Sequence, residues 1–210
     1  SILEALNALI VAVIAKIFSF SDVNSSVVQL WRKNVEKAEN QNQSDVDEIY
    51  EHMNATIEIL TAAGVKCPLI AGSALGFARH GGIIPWDNDV DMGVLESDSD
   101  LIMSLRPKLE QAGVKIVRSD IGFKTGTGRL RVGEGMVEER NGEYWAIGPE
   151  DPFTGVNQDL FTFREDGEYN GVPVLRYAGE RAIKTWPKEV VPVEAWSGQH
   201  TANFGGFIVN

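Results

Sequence analysis

The chain contains a single cysteine, Cys67, among 210 residues. One thiol excludes a disulfide framework and a cysteine-based zinc site within the chain. Cys67 precedes Pro68 in an apolar run, so it reads as a small buried hydrophobe rather than a catalytic thiol. Basic clusters are also missing. Lys and Arg total 19 against 30 Asp and Glu, a formal net charge of −11, and the cations are scattered. No basic stripe follows a phosphate backbone, so nucleic acid is not an expected partner. An acidic protein still binds phosphates where divalent cations invert the local field. Internal repeats and long low-complexity segments are absent.

Long uncharged runs are scarce too. Residues 2–20 carry only Glu4 and Lys16 as charges, and the fully uncharged stretch from Ala5 to Ala15 is short for a membrane span. With Lys16 snorkelling, the whole segment still reaches across a bilayer. Residues 1–22 therefore read as a hydrophobic helix, either a signal anchor or a packing helix. Residues 23–44 read as a stem or linker, with a short helix over Val27–Ala38 and the polar stretch Glu39–Ser44. Asn24, Asn42 and Asn54 head Asn-x-Ser/Thr sequons, which lean toward a lumenal, Golgi or ER, location in a eukaryote. A bacterial chain would be cytoplasmic.

What is present is one sizeable α/β domain, expected over residues 45–210. Hydrophobic content of 43% and charged content of 23% suit a globular fold. A helix is expected from Asp45, capped by Ser44, with Val46, Ile49, Tyr50, Met53, Ile57 and Leu60 at helical spacing and Gly64 closing it. PLIAGS reads as a strand, SALGFAR as one or two helical turns, HGGIIPWDND as a loop and VDMGV as a strand. A second helix is expected over Asp98–Ala112, with Leu101, Ile102, Leu105 and Leu109 inward and Gly113 closing it. VKIVR, RLRV (129–132) and DLFTF (159–163) follow as strand candidates. GEYWAIGPEDPFTGVN reads as a surface excursion near the site. The tail from Val190 holds further short apolar runs and stops without a terminal signal, so the domain is expected to be cut short.

The informative segment is PWDNDVDMG, where Asp87, Asp89 and Asp91 lie two apart. In an extended stretch such side chains share one face. Carboxylates held together repel and raise one another's pKa, a penalty that a divalent cation removes. Hard oxygen ligands suit Mg²⁺ or Mn²⁺, above all beside a phosphate. The bland alternative is a solvated acidic loop. A calcium loop fails, because the sixth position from Asp87 is Met92 instead of glycine and the twelfth is Asp98 instead of glutamate. Upstream, Gly72-Ser73 stands where a strand enters a helix, the place for a phosphate. A third carboxylate would complete a two-metal site, and Asp159, opening an apolar strand, is the candidate.

These residues carry a resemblance. AGSALGFARHGGIIPWDNDVDMGV resembles the signature segment of the LicD/fukutin family, with Gly72, Ser73, Leu75, Gly76, Arg79, His80, Ile84, Pro85, Trp86, Asp87, Asp89 and Asp91 in place. The likeness runs over residues 45–210 and is dense only over 70–94. It implies a nucleotidyltransferase-like fold, a mixed sheet flanked by helices, and transfer of a phosphocholine- or ribitol-phosphate-like group from a CDP-linked donor to a glycan acceptor. It implies Asp89, Asp91 and Asp159 as the catalytic metal-binding set with Asp87 as a further ligand. Gly72, Ser73 and Arg79 become donor-phosphate contacts, although Arg79 serves equally to brace the loop. His80 is more naturally structural, and Trp86 packs the loop. Two rival readings remain: a domain that keeps the fold as a binding or scaffold subunit, and nucleotidyl transfer to a small molecule. The segment from Gly122 to Asn157 has no counterpart in the resemblance; Lys124, Arg129 and Arg131 lie in it with no spacing that assigns them.

Overall fold

The computed structural model describes residues 42–148 and 150–197, the backbone of two short strands at 202–204 and 207–209, and Gly206. The expected hydrophobic helix over 1–22 and the linker helix lie outside the described residues. Among those described, no helix is long and apolar enough to cross a membrane.

Helix α1 spans Gln43–Ala62. Its cap is Asn42 and not Ser44: the Asn42 side chain accepts from the Asp45 backbone N–H, and the Ser44 hydroxyl donates to Asn42 instead. Both residues are good caps, so sequence alone does not choose between them. The far end is a Schellman motif. Gly64 takes φ +87°, its N–H bonds the Thr61 carbonyl, and Val65 N–H bonds the Leu60 carbonyl. Helix α2 spans Ala71–His80 and ends on Gly81 in the left-handed region. The strand expected at PLIAGS reduces to one bridge, Leu69 with Met92, because α2 begins directly after Ile70.

Strand β1 covers Asp91–Leu95 and a single 3₁₀ turn, Glu96–Asp98, follows it. The single helix expected over 98–112 is two, α3 (Ser99–Ser104) and α4 (Arg106–Gln111). Pro107 lies in the first turn of α4; it has no N–H to continue the ladder and its ring disfavours helix at Arg106. Leu101, expected inward, is exposed, while Ile102, Leu105 and Leu109 are buried.

The remaining strands are β2 (Lys115–Ser119), β3 (Gly122–Gly126), β4 (Val137–Arg140), β5 (Glu143–Ala146), β6 (Asn157–Tyr169) and β7 (Val172–Tyr177). Helix α5 (Glu180–Thr185), the two-residue β8 (Val191–Pro192) and α6 (Val193–Ser197) follow, and then β9 (Ala202–Phe204) and β10 (Phe207–Val209) pair as a hairpin. The main sheet runs β4-β5-β2-β3-β6-β7-β8, with β1 also on β6. RLRV is not a strand: Leu130 and Val132 make only isolated bridges. The strand in that region is β3, whose Gly-Phe-Lys-Thr-Gly lacks an apolar alternation to announce it. The expected surface excursion contains β5, and Phe153 is core.

Strand β6 is the centre. Phe163 pairs with Leu95 of β1, parallel, on one edge and with Tyr177 of β7, antiparallel, on the other. One sheet face carries Met92, Val94, Phe123 and Leu160 against Ile49, Met53, Ile57 and Leu60 of α1 and Ile102 and Leu109. The opposite face carries Phe161 and Phe163 with Ile70, Tyr177 and Trp196. This mixed sheet flanked by helices is the expected α/β class.

Candidate active site

The turn that delivers the aspartates is built by the motif itself. Asp87 N–H bonds the Ile84 carbonyl at 2.8 Å, closing Ile84-Pro85-Trp86-Asp87 as a β-turn with proline second, where its fixed φ belongs. Ile83 N–H donates to the Tyr50 hydroxyl at 2.7 Å, which fastens this loop to α1. Gly76 of α2 faces the Gly82 carbonyl, where an added Cβ would lie 2.5 Å away. From Asp87 to Asp91 the chain is extended enough that Val90 and Met92 are buried while Asp87, Asp89 and Asp91 are half-buried on the alternate positions.

Tertiary pairing supplies the fourth carboxylate. In the parallel β1–β6 register Asp91 lies directly beside Asp159, and residues so paired point to the same face. The charges feel one another as the expected repulsion requires. Asp89 is pushed up to about 8, first by burial and then by the charges of Asp91, Asp87 and Asp159. Asp91 is pushed up to about 7 by burial and by Asp159 and Asp87, against the opposing pull of Lys124 and of the Gly72 N–H.

Helix α2 holds this arrangement from the other side. Asp91 N–H donates to the Ser73 hydroxyl at 2.9 Å, and Ile70 N–H to the Asp91 carbonyl at 3.1 Å. Ser73 is fully buried, so its side chain positions the strand. The Gly72 N–H meets the Asp91 carboxylate, and a Cβ on Gly72 would stand 3.2 Å from Asp87 Oδ2. Ala71 reaches this geometry with φ +45°, a left-handed conformation for a residue with a side chain. Arg79 is exposed and makes no hydrogen bond or ion pair among the described residues, so it does not brace the loop by that means. The His80 side chain lies outside what the structure describes, and Trp86 is exposed by 42%.

Lys124 is the residue that sequence reasoning left unassigned. It is directly opposite Asp159 in the β3–β6 register. Its side chain is only 4% exposed, and Nζ stands 2.7 Å from Asp159 Oδ1 and 3.8 Å from Asp151 Oδ1. The only advance signal was a lysine between glycines in a segment with no clear strand pattern.

The chemistry of the donor set fits a hard divalent cation: four carboxylates lie near one another, and two are driven toward their protonated forms, first by burial and then by the neighbouring negative charges. Among the described residues no three acidic, imidazole or thiol side chains are yet arranged to hold one ion, and Asp159 is instead engaged by Lys124. A groove of about 430 Å³ has Ile70, Ala71, Ala74, Phe163, Tyr177 and Trp196 among its walls. Cys67 is buried and its thiol is pushed up to about 12 by burial and then by Asp98, the state of an inert core residue.

The family model described as LicD/FKTN/FKRP, nucleotidyltransferase domain, matches residues 64–193, which contain the turn and both paired strands. The chain belongs to this family. Among its relatives, uncharacterized protein RP689 of Rickettsia prowazekii is 37% identical over 68 residues, 32% of this chain and 26% of that protein. Uncharacterized protein RT0683 of Rickettsia typhi is 36% identical over 73 residues, 35% of this chain and 24% of that protein. Ribitol 5-phosphate transferase FKRP of Homo sapiens is 57% identical over 42 residues, 20% of this chain and 8% of that protein. The matched regions thus span about a quarter or less of these relatives.

Proposed function

We propose that this LicD-family domain transfers a phospho-alcohol group, phosphocholine- or ribitol-phosphate-like, from a CDP-linked donor to a hydroxyl of a glycan acceptor. The observation that carries the reading is the in-register pairing of Asp91 with Asp159 next to Asp89, below the first turn of α2. Asp89 and Asp91 would hold a Mg²⁺ or Mn²⁺ ion, with Asp87 and Asp159 completing its surroundings. When bound, the cation supplies the positive charge that a diphosphate needs in order to approach an acidic cleft. The acceptor oxygen forms a bond to the distal phosphorus, the bond from that phosphorus to the bridging oxygen breaks, and cytidine monophosphate leaves with the electron pair. The acceptor proton passes to a carboxylate of the cluster, Asp91 or Asp159. The groove walled by Ala71, Ala74 and Tyr177 receives the non-phosphate part of a substrate.

The test is a thermal melt with and without a cytidine diphosphate compound and Mn²⁺, followed by product analysis. A rise in melting temperature with both together, lost in Asp89→Asn and Asp91→Asn proteins that still fold, supports the reading. No shift with any cytidine nucleotide at millimolar level counts against it. A second reading, a domain that keeps the fold without turnover, draws on the Lys124–Asp159 ion pair, which gives the cluster an internal cation. Under it, the double aspartate substitution leaves the biological role intact. Nucleotidyl transfer to a small molecule is the third reading; release of diphosphate or of the phospho-alcohol instead of cytidine monophosphate would favour it.

A further inference from the structure

We infer that Lys124 is a stand-in cation, which holds Asp159 while the site is empty and must yield Asp159 toward Asp151 before a divalent ion is bound tightly. This rests on the metal-site reading above. The geometry carries it. The ammonium has three N–H donors, and Asp159 Oδ1, at 2.7 Å, is the one hydrogen-bond acceptor recorded for it among the described residues. A second carboxylate, Asp151, stands 3.8 Å from the same ammonium and is half-exposed. Asp151 is a fixed destination: Arg131 Nη1 donates to its carbonyl at 3.1 Å and Arg131 N–H to the Pro152 carbonyl at 2.8 Å, so this segment is fastened. Lys124 itself is anchored by its strand directly opposite Asp159, so only its flexible stem moves.

The arrangement answers two needs with one residue. Buried carboxylates without positive charge destabilise the fold, and an ammonium supplies that charge in the empty protein. The same ammonium repels an incoming divalent ion and occupies an oxygen the ion needs. Lys124 therefore lowers affinity for the free ion. The ion enters best together with a diphosphate, whose own charge offsets the repulsion. Lys124 is thus a positioning residue, acting through Asp159.

The test measures Mn²⁺ affinity by electron paramagnetic resonance on wild type, Lys124→Met and Asp151→Asn, without nucleotide, with circular dichroism confirming the fold. Lys124→Met is expected to bind Mn²⁺ about tenfold or more tightly than wild type, a coupling within the usual range between two sites, and to melt at a lower temperature when metal-free. Asp151→Asn, on the exposed side, is expected to bind Mn²⁺ several-fold more weakly, because the ammonium loses its alternative partner; it carries the test if Lys124→Met does not fold. Wild-type binding with Lys124→Met unchanged or weaker, or Asp151→Asn unchanged, overturns the inference and leaves the metal reading standing. No Mn²⁺ bound by any of the three overturns both.

Discussion

Replacing a crowded, half-buried aspartate by its neutral isostere should stabilise the protein in the absence of metal. In Asp89→Asn a carboxylate raised first by burial and then by its acidic neighbours is removed at nearly constant volume. Asp89 rises from 3.8 to about 8, so the folded protein keeps a proton that the unfolded chain releases between those values. More protons bound in the folded state means that stability falls as pH climbs from about 4 to about 8, and the full penalty stands above that. At roughly 1.4 kcal/mol per pH unit the rise caps the penalty at about 6 kcal/mol. Asp91 shares the same repulsion, so the two titrate as a set and part of the cap belongs to the pair. Asp89 is also partly open to water, which screens it. A gain of about 2 kcal/mol at pH 8 is therefore expected, or about 4–8 °C in melting temperature for a domain of this size. At pH 4 the wild-type group is already protonated and the difference vanishes. Added Mn²⁺ reverses the order, since wild type alone gains from binding. Melts of both proteins in chelator at pH 4, 6 and 8 decide it. A lower melting temperature for Asp89→Asn at pH 8, or an equal rise at pH 4, refutes the crowded-carboxylate account.

Three further outcomes are expected. Ala71→Gly should raise stability by up to about 1 kcal/mol, against the usual sign for that exchange, since φ +45° suits glycine; a urea midpoint lower than wild type contradicts this. Gly93→Ala should cost about 1–3 kcal/mol, because its Cβ would lie 2.7 Å from Trp196 Cη2 and 3.1 Å from Phe163 Cε2, both rings packed; an unchanged melt contradicts it. Burial holds His52 down to about 4, from 6.5, with Nε2 3.1 Å from Thr125 Oγ1, so its contribution is present above pH 6.5 and lost as pH falls toward 4, up to about 3 kcal/mol. His52→Gln should flatten that limb of the stability profile, and a profile as steep as wild type's speaks against it.

The local features of the site were legible before the fold. The loop around Pro85, Gly64 and Gly113 closing helices, and the two-residue spacing of Asp87, Asp89 and Asp91 are decided by backbone sterics within a few residues. Where two local choices were equally good, the reading missed. Asn42 outcompeted Ser44 as cap, and Pro107 split a helix whose apolar spacing ran on. The candidate set also changed meaning in three dimensions. Ser73 and the Gly72 N–H, expected to meet phosphate, are engaged with Asp91 in this structure.

By itself the sequence determined the loop, the glycine-closed helix ends and the presence of an aspartate row, because each depends on covalent neighbours. Only the tertiary structure decided that Asp159 stands beside Asp91 and that Lys124 stands opposite Asp159. Those neighbours are brought together by strand register across 68 and 35 residues of chain. Register is set by which face each whole strand buries, and no local spacing encodes it.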